Sequence, residues 1–189
     1  SQWCPIPHHR GPGLMNPTIR RLTGAFLLLL LGVHAILKAQ TGLFPEVLWS
    51  CHLASGVLAI GLLLDWPVVS AMGFLFHVAI ALPTYGLHLL SRGDTNWTSM
   101  LLHVLSPLAG WFFWRGRALP SATPWLAWGF FIGTFMLSRL ATPASLNVNL
   151  AFRPWEPWDF LGAGLSHTLN ILLVLGQLHA VHWLLGRRR

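Results

Sequence analysis

One cysteine and several histidines lie inside apolar stretches of this 189-residue chain. Cys51 is followed four residues later by Ser55, and His103 three residues later by Ser106, so each pair lies on one face of a helix. A thiolate attacks carbonyl carbons, and a nearby imidazole can remove the thiol proton. Both residues are expected at similar depth on nearby helices. The sequence therefore predicts a catalytic Cys51/His103 pair that forms and releases an acyl-enzyme.

Other polar residues recur at the same depth of the predicted helices. Five histidines share this level: His34, His52, His88, His103 and His167. The remaining members of the predicted layer are Thr84, Ser106, Arg139 and Asn170. Polar groups are costly in lipid and are expected to face the bundle interior or a watered cavity, although a single membrane histidine often serves only as an interhelical hydrogen-bonding partner. Five histidines in one layer favour a functional cavity in the outer half of the membrane.

The same histidines are compatible with two other chemistries. Two of them at matching depth could ligate haem b or another pigment, with Arg139, Arg92 or Lys38 near the propionates. The candidate ligands are His77, His88, His167, His179 and His182. Such a chain would be an accessory subunit of a membrane electron-transfer complex, without catalysis of its own. Three histidines could instead bind zinc, but no Asp or Glu lies deep in an apolar run to act as a base, so we predict no metal.

Composition defines the elements that must position these residues. Hydrophobic residues make up 54% of the chain and charged residues 9%, against about 25% charged in soluble domains. This excludes a soluble globular protein, a disordered chain and a disulfide scaffold. We predict an all-α polytopic integral membrane protein, with residues 1–14 as a Pro/Gly-rich tail and 15–189 as a single domain of six transmembrane helices. The predicted spans are Leu22–Ala39, Phe44–Leu64, Val68–Leu90, Thr98–Trp114, Pro124–Ala141 and Asp159–Leu185.

The basic residues predict the orientation of these spans. The side that holds both termini carries eight: Arg10, Arg20, Arg21, Arg115, Arg117, Arg187, Arg188 and Arg189. The opposite side carries four: Lys38, Arg92, Arg139 and Arg153. The asymmetry predicts an inner or plasma membrane protein with both termini cytoplasmic. Because the basic residues follow the ends of apolar runs and form no patch, the expected partners are membrane lipids and other membrane subunits rather than nucleic acid.

Several segments resemble those of the YwaF-like integral membrane family. Leu48–Ala54 is similar to the family's second-helix segment of His-Leu-Cys-Asp type. The other similar segments follow in the family's order: Ala81–Tyr85, Asn96–His103, Asn149–Pro154 and Asp159–Gly162. The resemblance covers the chain from Leu48 to Gly162. It implies the six-helix fold of a wider group that includes the androgen-induced-gene type of lipid hydrolases.

That resemblance also implies a reaction. Members of the group use a helix-two Thr or Cys with a helix-four His for acyl chemistry on lipids. Carried over by position, Cys51 is the nucleophile and His103 the base of a lipid acyltransferase or hydrolase. The sequence departs from the family pattern at Trp49, where the family has His, and at His52, where it has Asp. In helix three, Pro83 lies two residues earlier than the family's proline.

Overall fold

The computed structural model describes residues 16–92, 96–153 and 156–187. Within these ranges the regular structure is helical and no strand occurs, which confirms the all-α prediction. The predicted 1–14 tail lies outside the described residues, together with Arg10, Arg188 and Arg189 from the orientation count.

The described ranges contain seven α-helices, and the longest connection, residues 142–162, separates the last two. The helices are α1 (Pro17–Gln40), α2 (Ser50–Leu64), α3 (Pro67–Phe76), α4 (Leu82–Arg92), α5 (Trp97–Trp114), α6 (Thr123–Ala141) and α7 (Ala163–Gly186). A π-helical segment, His77–Ala81, joins α3 to α4, so these two helices form one continuous rod. Each of the six predicted apolar runs therefore contains one helical rod. Three 3₁₀ turns complete the structure: Phe44–Leu48, Val148–Leu150 and Glu156–Leu161.

Two predicted spans begin later than expected. The second starts at Ser50 rather than Phe44, because Phe44–Leu48 is a 3₁₀ turn and Trp49 has extended backbone with ψ 131°. The sixth starts at Ala163 rather than Asp159, because Glu156–Leu161 is also 3₁₀ and Gly162 follows it with φ +73°. A positive φ ends regular helix and suits glycine, which has no Cβ to clash.

The described residues include three helices that are long and apolar enough to cross a membrane: Pro17–Gln40, Pro67–Leu90 and Ala163–Gly186. Each has 24 residues, or about 36 Å at 1.5 Å per residue, against a hydrocarbon core of about 30 Å. α2 is apolar but has only 15 residues, or about 22 Å. The chain is thus a membrane protein by the length and composition of its helices.

Local sequence explains where the helices start and stop. The Asn16 side chain accepts a hydrogen bond from the Thr18 backbone N–H, and Pro17 occupies the first helical position of α1. Asn96 caps α5 in the same way, through the backbone N–H of Thr98. Asp65 ends α2 in a left-handed conformation, two residues before Pro67 begins α3.

Close backbone contact holds α2 against α3. A Cβ at Gly73 would lie 2.6 Å from the Leu58 backbone nitrogen, and a Cβ at Gly61 would lie 2.3 Å from the backbone nitrogen of Ser70. Small residues permit this approach, and in a membrane such packing contributes much of the association of helices. Side chains then fill the space between the rods. The buried core includes Leu27, Leu58, Leu62, Phe74, Phe113, Leu75, Phe76, Phe131 and Leu178.

The helices alternate in direction, which gives the bundle two ends with different polar residues. We call the end that contains His34, His52 and His103 the histidine end; α2 and α5 start there. We call the end that contains Arg20, Asp65 and Arg117 the arginine end; α1 starts there, and α2 and α5 finish there.

Candidate functional site

Three imidazoles from three helices form a buried cluster at the histidine end. His34 of α1, His52 of α2 and His103 of α5 are 0%, 4% and 4% exposed. The ring centroids of His34 and His52 are 4.3 Å apart, and those of His52 and His103 are 5.7 Å apart. Tyr85 of α4 stacks on His103, with centroids 3.9 Å apart and an interplanar angle of 12°. The structure therefore brings together three of the five histidines in the predicted layer.

Hydrogen bonds to carbonyl oxygens define the proton positions on two of these rings. Nδ1 of His103 lies 2.8 Å from the Ser99 carbonyl oxygen, and Nδ1 of His52 lies 3.2 Å from the Glu46 carbonyl oxygen. A carbonyl oxygen only accepts, so each Nδ1 carries the proton and donates it. In the neutral ring Nε2 then holds a lone pair. On His52 this atom accepts from the Ser99 hydroxyl at 3.2 Å.

The proton position on His34 follows from the next hydrogen bond in the chain. Its Nδ1 lies 2.8 Å from Thr98 Oγ1, and the Thr98 hydroxyl donates to Asn96 Oδ1 at 2.5 Å. Thr98 therefore accepts the hydrogen bond from the His34 ring, and His34 Nε2 also holds a lone pair. That atom is buried and has no hydrogen-bond partner in the described part of the chain. All three rings thus present Nε2 as a proton acceptor.

A second polar group lies one turn deeper, between α2, α5 and the π-helical segment. His77 donates from Nδ1 to the Gly73 carbonyl oxygen at 2.9 Å, so its Nε2 accepts from the Ser55 hydroxyl at 3.0 Å. The Ser106 hydroxyl donates to Ser55 Oγ at 2.9 Å. Ser106, which the sequence assigned to the polar layer, is completely buried in this relay. His103 and Ser106, three residues apart as noted in the sequence, thus both contact α2: His103 through the ring of His52 and Ser106 through the hydroxyl of Ser55.

Cys51 is the second residue of α2; the residue is half-buried and its thiol is free. Ser55, one turn further along the same helix, belongs to the Ser106–Ser55–His77 relay. The imidazole of His52, adjacent in sequence, belongs to the histidine cluster. The predicted nucleophile therefore lies in the first turn of a helix that contributes to both polar groups.

The other predicted residues lie away from this cluster. Thr84 and Arg139 are exposed, and His88 is exposed beside Tyr85, with ring centroids 6.3 Å apart. Asn170 is half-buried on α7. The structure thus places these four side chains outside the three-histidine cluster, with His88 at its rim through Tyr85.

His167 belongs to a different part of the bundle. Its Nε2 donates to the Leu150 carbonyl oxygen at 3.0 Å, and its ring lies edge-on to Phe135, with centroids 5.5 Å apart. Shared depth in the sequence does not place it with His34, His52 and His103. The depth of a residue gives its level along the bundle, but it does not say on which face of the helix the side chain lies.

Asn149 is a functional candidate that the sequence did not single out. Its Oδ1 accepts from both the backbone N–H and the hydroxyl of Ser50, at 2.7 and 2.8 Å. Its Nδ2 donates to the Leu48 carbonyl oxygen at 2.9 Å and to Ser138 Oγ at 2.8 Å. Asn149 therefore fixes the start of α2, one residue before Cys51. Its φ of 56° is a left-handed conformation, which asparagine tolerates better than most residues. The residue type is therefore the signal that the sequence offers for this role.

The geometry also bears on metal and haem binding. Within residues 16–92, 96–153 and 156–187, no three His, Cys, Asp or Glu side chains are arranged to hold a metal ion. Of the predicted haem ligands, His167 and His182 donate from Nε2 to the carbonyl oxygens of Leu150 and Pro120, and His77 accepts from Ser55. Haem iron needs a nitrogen lone pair. The protein's own hydrogen bonds therefore occupy the Nε2 atoms of these three residues.

Comparison with known proteins found no relative of this chain. No family model, curated protein or solved structure matches it.

Proposed function

We propose that this chain is a membrane-embedded enzyme that transfers or hydrolyses the acyl group of a lipid, with Cys51 as nucleophile and His103 as base. The observation that carries the proposal is the hydrogen bond from His103 Nδ1–H to the Ser99 carbonyl oxygen. It holds the imidazole in the tautomer whose Nε2 accepts a proton, as a general base requires. The resemblance of residues 48–162 to the YwaF-like family is consistent with the same pair.

Helical spacing supports the pairing of the two residues. Cys51 precedes Ser55 by one turn on α2, and His103 precedes Ser106 by about one turn on α5. The hydrogen bond between Ser106 and Ser55 joins these two helix edges at 2.9 Å. Both helices run from the histidine end toward the arginine end. On α2 the residue that contacts His103 is His52, with ring centroids 5.7 Å apart, and Cys51 is its immediate neighbour in sequence.

The reaction needs one proton acceptor and one nucleophile. His103 Nε2 takes the Cys51 thiol proton, and Sγ forms a bond to the carbonyl carbon of a lipid ester. The ester C–O bond breaks, and the departing alcohol takes the proton from His103. Water or an acceptor hydroxyl then attacks the thioester, giving its proton to His103 as the C–S bond breaks. The proton returns to Cys51, which leaves a free thiol and either a fatty acid or a new ester.

A lipid substrate agrees with the surface of the helices. Large apolar side chains are exposed along α1 and α7, where they face lipid in a membrane protein; they include Leu22, Phe26, Leu29, Ile36, Leu165, Leu172 and Leu173. We propose six crossings, with both termini cytoplasmic and the histidine end in the outer half of the membrane. The substrate then reaches the site from within the bilayer, without leaving the apolar phase.

The test is to detect the acyl-enzyme directly. The purified protein in phosphatidylcholine nanodiscs is given a phospholipid with a labelled acyl chain, and mass spectrometry maps label on Cys51 that hydroxylamine removes. We expect a labelled thioester on the wild type and no label on Cys51→Ala. His167→Gln is the matched control, because it alters a partly buried histidine outside the cluster and should leave labelling unchanged. Lipid turnover by Cys51→Ala at the wild-type rate would disprove the mechanism.

As a second candidate function we propose haem or pigment binding within a membrane electron-transfer complex. The Nε2 atoms of His34 and His179 are buried and have no hydrogen-bond partner in the described ranges. These two nitrogen atoms are therefore open to a ligand. An absorbance spectrum of the purified protein separates the two proposals. A Soret band that persists through purification, together with the absence of lipid turnover, would favour the accessory subunit.

A further inference from the structure

The arginine end contains a buried guanidinium that the proposed reaction does not use. Arg20, in the first turn of α1, is 8% exposed and forms an ion pair with Asp65 at the end of α2. A guanidinium has five N–H donors. The Nε atom of Arg20 is buried and donates to nothing within the residues that the structure describes. Since a buried donor without an acceptor is unfavourable, the residue calls for an additional acceptor.

A second guanidinium lies within electrostatic reach of this pair. Arg117 follows α5 in a turn closed by its backbone N–H on the Trp114 carbonyl oxygen at 3.0 Å, and its side chain stacks on Phe113 at 4.4 Å. Burial lowers the pKa of Arg117. The negative charge of Asp65 raises this pKa, and the positive charge of Arg20 lowers it. Phe113 lies in one buried cluster with Leu27 of α1 and Leu62 of α2. The three charged groups therefore lie around the same cluster, and together they carry one positive charge in excess.

Trp114 adds a third donor to the same region. It packs in one core cluster with Leu27 of α1 and Leu62 of α2, close to the ends of the helices that hold Arg20 and Asp65. Its indole N–H is buried and has no acceptor among the described residues. Arg20, Arg117 and Trp114 can only donate hydrogen bonds from their side chains, so the ligand that suits them is an anion with several acceptor oxygens.

We propose that Arg20 and Arg117 bind a phosphate group at the arginine end, with Trp114 as an additional donor. The planar guanidinium fork matches phosphate oxygens, and two arginines beside one carboxylate leave a net charge that an anion neutralises. The start of a membrane-spanning helix is also the level at which lipid phosphates lie. The phosphate belongs to an anionic lipid or to a soluble phosphate ester. This site is separate from Cys51 and His103 and does not depend on the reaction proposed for them.

The experiment compares phosphatidic acid with inorganic phosphate. Native mass spectrometry counts phosphatidic acid retained by protein from mixed phosphatidylcholine–phosphatidic acid vesicles, and thermal unfolding in pure phosphatidylcholine nanodiscs is measured with and without phosphate. We expect Arg117→Gln to weaken phosphatidic acid retention by about tenfold, the effect of one charge-assisted contact. Arg115→Gln is the control, because this exposed residue stacks on Phe112 and is only two positions away.

The results distinguish a lipid headgroup from a soluble phosphate ester, and one result would refute the site. Retention of phosphatidic acid without stabilisation by inorganic phosphate identifies a lipid headgroup; stabilisation by phosphate that Arg117→Gln abolishes identifies a soluble ester. Arg20→Lys keeps the charge opposite Asp65 and removes the guanidinium fork, so it should weaken binding while the protein stays folded. Equal retention by wild type, Arg117→Gln and Arg115→Gln, with no response to phosphate, would refute the site.

Discussion

The two ends of the bundle bury polar groups in different ways. At the histidine end the most deeply buried groups are imidazoles and hydroxyls, and the Lys38–Glu46 ion pair is less buried. His52 and His103 fix their proton positions there through backbone carbonyls. At the arginine end the groups carry full charges, and Arg20 is paired with Asp65 while one of its donors stays unmatched. Neutral hydrogen-bonded groups are tolerated deep in a bilayer, whereas charges require partners or headgroups. The first end therefore suits proton transfer, and the second suits anion binding.

The sharpest test of this comparison asks which side of the membrane each end faces. In a background without native cysteines, Ser145→Cys marks the predicted external loop of residues 143–158 and Ala118→Cys marks the turn at the arginine end. We expect an impermeant maleimide to label Ser145→Cys in intact cells and Ala118→Cys only after lysis, because the basic residues favour cytoplasmic termini. The reverse pattern would invert the orientation and place the histidine end in the cytoplasmic half.

The next largest effect concerns proton transfer at the histidine end. His103→Phe keeps an aromatic ring for Tyr85 to stack on and removes the base. We expect lipid acyl turnover to fall by about 10²-fold or more, the range for loss of a general base. Arg115→Gln, at the opposite end, should leave turnover unchanged. If His103→Phe turns over lipid like the wild type, the base is another residue and the cluster has a packing role.

A smaller effect is expected when the Asn149 amide, which bonds the start of α2, is removed; the affected quantity is the free energy of unfolding. Asn149→Gly allows the left-handed backbone and deletes the amide that bonds Ser50, Leu48 and Ser138. We expect the free energy of unfolding to fall by about 3 kcal/mol, because buried partners lose their hydrogen bonds. The measurement is detergent-induced unfolding in bicelles. Asn147→Gly, at a more exposed position with φ 46°, is the matched control and should cost clearly less, because the Asn147 amide bonds the backbone of Phe152 and Arg153 rather than α2. Equal losses would mean that the fold of the loop, rather than the contact of Asn149 with α2, fixes the helix.

Sequence patterns predicted the helices well because they depend on composition and local signals. Apolar runs located the six helical rods, and one-turn spacing anticipated that Ser55 and Ser106 lie on polar helix faces. The starts of the second and sixth rods were wrong by several residues, since a 3₁₀ turn precedes each helix and its apolar residues extended the predicted span. Three lengths suit a membrane crossing, and the count of six stays a prediction.

The candidate site was less predictable because it depends on rotation around each helix. Depth placed His34, His52, His103 and His167 in one layer, but His167 turns toward Leu150 and Phe135 instead. Asn149 acts through contacts with residues about 100 positions earlier in the chain, which no local pattern reveals. The pairing of Cys51 with His103 remains a prediction, since it depends on the same rotational detail.

The smallest expected effect, on the free energy of unfolding, concerns His34 Nε2 at the histidine end. His34→Phe replaces the ring by one of similar shape and removes Nε2, which is buried without a partner in the described ranges. The Thr98 hydroxyl loses one donor but keeps its hydrogen bond to Asn96. The lost bond and the removed unsatisfied acceptor offset each other, so the free energy of unfolding should change by less than about 1 kcal/mol. Detergent unfolding measures this change, with His77→Phe as the control, because both nitrogens of His77 are bonded and its replacement removes two hydrogen bonds. A loss at His34 as large as that at His77 would show that Nε2 has a partner in the folded protein, such as a bound water. The histidine end would then hold a fixed solvent molecule beside its proton acceptors.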